Sequence, residues 1–315
     1  MNIIKNRYWY FFISLLVIIP GIVFMIVNVN SKGAALPLAA DFTGGSLLEI
    51  KFAGKLPVVA EIDSLYQKYS TTENPIKDPV IQPLGTDSYS IRSKQMNEDT
   101  KAKIAADLST LTGSEVTVLN FTSVSPSVGT EVTQAAAGAI GLAALAILAY
   151  IWYAFRGVEH SFRFGTAAVL AMLHDVLVVI GVEAMLGYFL GWEADALFLT
   201  ALLTVIGFSV HDTIVVFDRI RENSSIYRRV EFESMINHSI VQTLDRSINT
   251  QLTVMFTLFA LALFGGDSIR HFVIILLVGI FSGTYSSIFN ASPILVVWQN
   301  QEWKNWFRRK EVEVL

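Results

Sequence analysis

The sequence predicts a polytopic α-helical membrane protein of six transmembrane helices, with an α+β domain of ferredoxin-like topology between the first and the second. Three observations carry that expectation. The 315 residues are 53% hydrophobic and 16% charged, against roughly 25% charged in soluble domains. Six apolar runs reach the roughly 20 residues that cross a hydrocarbon core. Residues 30–131 regain charged side chains and short periodic patterns. The formal charge of −4 decides little, because the placement of Lys and Arg orients a membrane protein rather than their sum. The absence of cysteine excludes disulfides, Cys-ligated zinc and thiol chemistry.

The runs are Tyr8–Val29, Val132–Phe155, Phe164–Leu190, Ala196–Phe217, Ser247–Phe264 and Phe272–Trp298. Lys5 and Arg7 precede the first, but it exceeds the 7 to 15 apolar residues of a signal peptide and reads as an uncleaved anchor, kinked at Pro20-Gly21. The chain thus divides into a first helix (1–29), an extracytoplasmic domain (30–131), a five-helix bundle (132–298) and a tail (299–315). With the N-terminus in the cytoplasm, Arg156, Arg163, Arg219, Arg221, Arg228, Arg229, Lys304, Arg308, Arg309 and Lys310 fall on that same side. The opposite short loops offer only Arg270. The positive-inside rule therefore puts both termini in the cytoplasm and residues 30–131 outside. Trp152, Trp192, Trp298, Trp303 and Trp306 suit interfacial anchors.

In the outside segment, Leu47–Phe52, Val80–Leu84, Ser88–Arg92 and Glu115–Val124 read as strands. Pro57–Tyr69 and Asn97–Leu111 read as helices, the second capped by Asn97. The order β-α-β-β-α-β is that of the split βαβ fold. Ser123–Ser127, with Pro126, is the expected hinge into the membrane. Before the first strand stands Asp41-Phe-Thr-Gly-Gly45. Gly44 and Gly45 either form a turn with positive φ or offer a backbone platform to an extended peptide.

The fourth span and its continuation, IGFSVHDTIVVFDRIREN (206–223), hold the residue most in need of explanation. A carboxylate at the centre of a spanning helix costs about 2.5 to 3.5 kcal/mol on insertion scales, so Asp212 is expected to face a partner or a wet path. Ser209, Asp212, Thr213 and Val216 share one helix face. In the fifth span Arg246, Asn249, Thr250, Thr253 and Thr257 form a second polar stripe, and packing of the two spans brings Arg246 within reach of Asp212. Snorkelling of Arg246 to the headgroups is the other reading. The sixth span spaces Gly279, Gly283 and Ser287, and the second Ala137 and Gly141, for close helix packing. Ser282, Ser286 and Asn290 lie on an adjacent face, with Asn290 a candidate for the polar track. His174-Asp175 in the third span repeats the His211-Asp212 dipeptide, and Glu183 lies two turns on.

Neighbouring His and Asp point about 100° apart on a helix, so each pair offers one ligand to a shared metal, and no HExxH accompanies them. No metal, no cofactor and no nucleic-acid partner is expected. His174 reads as a structural hydrogen-bonding group and Asp212 as a functional one. Residues 218–245 read as short amphipathic helices on the inner surface, in contact with membrane lipid.

Asp41-Phe-Thr-Gly-Gly45, His174-Asp175, the 206–223 motif, Leu244-Asp-Arg-Ser-Ile-Asn-Thr250 and Phe264-Gly-Gly266 together resemble the SecF family, the smaller partners of SecD in bacterial protein export and members of the RND superfamily. The resemblance runs nearly end to end, and the long fourth-span motif is its most specific part. It implies a non-enzymatic, multi-pass subunit of the bacterial cytoplasmic membrane. Such a subunit pairs with SecD, associates with the SecYEG channel and uses protons to draw unfolded preproteins outward. The family aspartate and arginine implicated in proton passage match Asp212 and Arg246, with His211, Asn249, Thr250 and Thr253 alongside. His174, Asp175 and Asn290 are secondary candidates. Two departures stand out: His211 where the family usually has Asn, and Gln251 where a small hydroxyl residue is common. The alternative function is a proton-driven RND-type exporter subunit for lipids or small molecules.

Overall fold

The computed structural model describes residues 2–71, 75–76, 79–156, 161–302 and 304. Among them, helices α1 (Arg7–Lys32), α2 (Ala40–Thr43), α3 (Val59–Tyr69) and α4 (Glu98–Thr112) alternate with strands β1 (Gly45–Phe52), β2 (Val80–Leu84), β3 (Ser88–Ser93) and β4 (Val116–Val124). Then come α5 (Pro126–Ala154), α6 (Ser161–Phe189), α7 (Ala196–Ile226), α8 (Phe232–Phe264), α9 (Asp267–Ser286), a π-helical turn (Ser287–Ala291) and α10 (Ser292–Gln299). They form two compact units: a helical one (Met1–Leu36, Ala139–Trp192, Leu197–Leu315) and an α+β one (Pro37–Gly138, Glu193–Ala196).

In the helical unit six helices are long and apolar enough to cross a membrane. They differ in burial. The most apolar windows of α6, α7 and the α9–α10 run are 50%, 50% and 56% buried, while those of α1, α5 and α8 are 11%, 6% and 17% buried. The first three are therefore the centre and the last three the periphery. Glycine lets these backbones meet. A Cβ on Gly21 of α1 would stand 2.6 Å from Gly181 Cα of α6, one on Gly279 of α9 would overlap Val205 of α7, and one on Gly283 would lie 3.3 Å from Ser209 Cα. The close packing expected at Ala137 and Gly141 is not made: Gly138 and Gly141 meet nothing within 4 Å among the described residues, because α5 is the least buried span. Phe155, Phe164 and Phe217 stack edge-to-face and in parallel at centroid distances of 5.3 to 6.3 Å, tying α5, α6 and α7 together.

One expectation is revised. The stretch 218–245 forms no short surface helices. Instead α7 runs on to Ile226 and α8 starts at Phe232, since Asn223 donates to Ser239 Oγ (2.8 Å) and Gln242 Oε1 (2.9 Å) while Ile220 and Ile236 are buried. The sixth span is interrupted by the π turn. Pro293, in the first turn of α10, lacks an N–H and would clash with a carbonyl four residues back, so the ladder widens before it. Pro20, by contrast, lies within one continuous helix.

The α+β unit is an antiparallel sheet of order β2-β3-β1-β4, the split βαβ topology. Leu48, Ile50 and Phe52 alternate inward from β1 onto Ile62, Tyr66, Ile104 and Leu108 of α3 and α4. Pro83 sits in the edge strand, where a missing donor costs no ladder bond. Asn97 caps α4 through Thr100 N at 2.9 Å, and Gly113 closes it at φ +62°. Lys68 and Tyr69 of α3 both donate to Asp107 Oδ2 of α4, at 2.7 and 2.8 Å. Residues 193–196 belong to this unit through Ala39 N to Ala194 O and Ala194 N to Pro37 O, both 2.8 Å, and an Arg92–Glu193 ion pair.

Candidate functional site

The face of α7 defined by Ser209, Asp212, Thr213 and Val216 is buried along its whole length, at 0–3% exposure. A carboxylate so placed requires donors. Asp212 Oδ2 receives one from Gln251 Nε2 of α8, itself buried. Ser247, one turn earlier, points to the same buried side of α8.

Arg246 does not meet Asp212. Five residues separate Arg246 from Gln251, which turns them about 140° apart on the helix. With Gln251 and Ser247 inward, Arg246, Asn249, Thr250 and Thr253 face outward and are exposed. The threonines fold back on their own helix: Thr250 Oγ1 donates to Arg246 O at 2.8 Å and Thr253 Oγ1 to Asn249 O at 2.9 Å. His211 is exposed as well, turned away from its neighbour Asp212.

The denser polar cluster surrounds Asp175 of α6, which is fully buried. Its Oδ1 accepts from Ser282 Oγ at 2.6 Å and lies 3.0 Å from His174 Nδ1. Its Oδ2 accepts from Ser209 Oγ and Ser286 Oγ, both at 2.6 Å. Asn290, in the π turn, leaves this track and bonds Ser14 of α1 through both amide atoms, at 2.9 and 3.2 Å. Two turns along α6, Glu183 Oε2 lies 2.7 Å from His271 Nε2, whose ring is 4.6 Å from that of Trp192.

In the α+β unit, Asp41 Oδ2 accepts from Ala196 N at 3.0 Å, the first residue of α7. Gly44 (φ +73°) and Gly45 (φ +124°) both lie where glycine is favoured, and a Cβ on either would stand within 2.7 Å of backbone at Pro126 or Ser93. The glycine pair is thus a tight turn, wedged where β4 passes into α5 with only Ser125 between them.

Residues 104–301 match the family model described as protein export membrane protein SecD/SecF, C-terminal. The chain belongs to the SecD/SecF family. Among SecF proteins, the protein translocase subunit SecF of Anaerolinea thermophila is 52% identical over 311 residues, covering 98% of this chain and 97% of that protein. That of Thermobaculum terrenum is 46% identical over 324 residues, covering 99% and 98%. The crystal structure of SecDF from Thermus thermophilus, a translocon-associated membrane protein, superposes with a TM-score of 0.78 at 30% identity, over 95% of this chain and 39% of that one.

In this SecF-family chain, three roles are set by contacts between helices rather than by local pattern. Gln251 is the partner of Asp212 rather than a mere departure, Asp175 gathers three serines, and His271 is the partner of Glu183. The serines carried a signal, since Ser209 lies on the Asp212 face and Ser282 and Ser286 are one turn apart. Gln251 lies out of phase with the stripe around it.

Proposed function

We propose that this chain is the SecF-like subunit of a bacterial Sec translocase that, together with SecD and the SecYEG channel, uses the proton gradient to promote preprotein export. The observation that carries the reading is Asp212: a buried intramembrane carboxylate on the fourth-span motif of a protein-export family, bonded to a neutral amide rather than to a fixed cation. Moving one charge through the membrane potential releases about 2.3 kcal/mol per 100 mV. That is enough to bias a two-state equilibrium about fiftyfold. Protonation of Asp212 removes a buried charge and lets the α7–α8 contact repack.

The outward polar stripe supports a partner on the exposed side of α8. Arg246, Asn249, Thr250 and Thr253 present an arginine, an amide and hydroxyls on a face no other described helix covers, and polar groups at membrane depth call for protein or water. SecD is the natural occupant, since one relative carries both names as SecDF. In this reading Arg246 acts across the subunit boundary. Both termini are cytoplasmic, the α+β unit lies outside, and motion about 123–127 transmits the repacking to it.

The test is secretion into vesicles bearing the channel and SecD, with and without a proton gradient, for the native chain, Asp212→Asn and Arg246→Met. Loss of the gradient-dependent part alone in both variants is expected. Full gradient dependence in properly assembled variants would reduce both residues to structural ones.

A further inference from the structure

We propose that Asp175 is a second proton-binding carboxylate of this chain, and that Ser286 passes its protonation state to the π turn of the sixth span. The inference rests on the proton-driven reading above and adds a site to it.

Asp175 is where α6, α7 and α9 converge on one side chain. Four groups surround its two oxygens: His174 Nδ1 and Ser282 Oγ at Oδ1, Ser209 Oγ and Ser286 Oγ at Oδ2. An ionised carboxylate accepts about four hydrogen bonds, and a protonated one must donate at one oxygen. A proton on Oδ1 can be accepted by His174 Nδ1, whereas at Oδ2, where both neighbours are hydroxyls, one of them must accept in place of donating.

The titratable groups facing Asp175 are few. Its own helix brings His174, α7 brings Asp212 one turn from Ser209, and α9 brings Tyr285, whose ring lies 6.2 Å from that of His174. The α1 face contributes Ser14 and the Tyr10 carbonyl, the latter accepting from Tyr285 Oη at 2.7 Å. Among the described residues no Lys or Arg pairs with Asp175. Its charge is held by hydroxyls and an imidazole alone, and hydroxyls rotate. His174 Nε2 is buried with no protein partner among the described residues, which leaves the imidazole one open position for exchanging a proton.

Ser286 is the donor with a second acceptor at hand. Its Oγ lies 3.2 Å from Gly283 O, the intrahelical position to which a serine turns when its other partner is withdrawn. It is also the last residue of α9, followed directly by the π turn Ser287–Ala291. Single π turns inside α-helices are frequent at functional sites. This one carries Asn290, bonded to Ser14 of α1. A proton on Oδ2 thus turns the Ser286 hydroxyl toward Gly283 O, its oxygen now accepting from the carboxyl O–H, at the residue where the sixth span changes helix type, and Asn290 links that turn to α1.

The experiment is pH-dependent infrared difference spectroscopy on the full chain with SecD in lipid vesicles, reading the carbonyl stretch of protonated carboxyl groups. The native chain is expected to gain such bands on acidification. Asp175→Asn should lose one component, Asp212→Asn should retain it, and Ser286→Ala should shift its frequency by removing a hydrogen bond. A full set of bands in Asp175→Asn overturns the proposal. If that variant does not assemble, an unshifted spectrum in Ser286→Ala overturns it instead. The proton-driven reading fails separately, through unchanged gradient dependence of secretion in Asp212→Asn, whatever the bands show.

Discussion

Gln251 Nε2 on α8 donates to the Asp212 carboxylate on α7, and both residues are 3% exposed. Leaving a buried acceptor without its donor costs about 1 to 3 kcal/mol, more when the acceptor is charged. Gln251→Leu is therefore expected to lower the melting temperature of the purified protein in detergent and to reduce gradient-dependent secretion. Arg246→Met, on the exposed face of the same helix, should leave the melting temperature within error while affecting secretion. Equal melting of native protein and Gln251→Leu would mean that Asp212 finds its donor elsewhere.

The α1–α6 crossing makes a second prediction. Gly21 and Gly181 pack backbone on backbone, so a side chain at either has no space to enter. Overpacking typically costs about 1 to 3 kcal/mol. Gly181→Leu should destabilise the helical unit by that order in thermal unfolding, whereas Gly141→Leu, which meets nothing within 4 Å, should not. If the two variants melt alike, the glycine contact does not hold the helices together.

These residues also mark what the sequence made legible. The spans were readable because runs of some 20 apolar residues have one physical meaning, and the sheet because β1 alternates Leu48, Ile50 and Phe52 between turn residues. Even the Asn97 cap was visible, since a short amide before a helical pattern has few other uses. The site was harder. A polar stripe on a membrane helix shows that one face differs from the rest, but not whether it looks toward its own bundle or away. The Arg246 stripe is compatible with pairing to Asp212 or with snorkelling, and it faces outward, while the inward partner, Gln251, lies out of phase with it. Asp175 and its serines come from three helices, and no local pattern encodes a three-helix convergence.

In the α+β unit, Lys68 holds the Asp107 carboxyl below the usual carboxylate range, with help from Tyr69, and Asp107 in turn raises the Lys68 ammonium. For a carboxylate depressed on folding, the stabilisation is present above its unfolded value of about 3.9 and is lost as pH falls through the lower folded value. Asp107→Asn is thus expected to flatten the acid limb of the unit's stability profile, read from its melting transition at a series of acidic pH values. Coincident profiles would place this exposed pair among the many that contribute nothing measurable.

The Arg92–Glu193 pair tests whether residues 193–196 are fixed to the α+β unit by charge or by backbone alone. The side chains are 25% and 11% exposed, so removing one partner strands the other away from water. Breaking fully buried pairs costs about 3 to 5 kcal/mol. This half-buried one should cost less, on the order of 1 to 3 kcal/mol. Glu193→Gln and Arg92→Gln should each speed amide exchange at Ala194, whose N–H is bonded to Pro37 O, and the double variant should cost less than the sum of the two. Strict additivity would mean that the pair is uncoupled. The two backbone bonds and the Asp41 cap on Ala196 would then suffice to hold the segment.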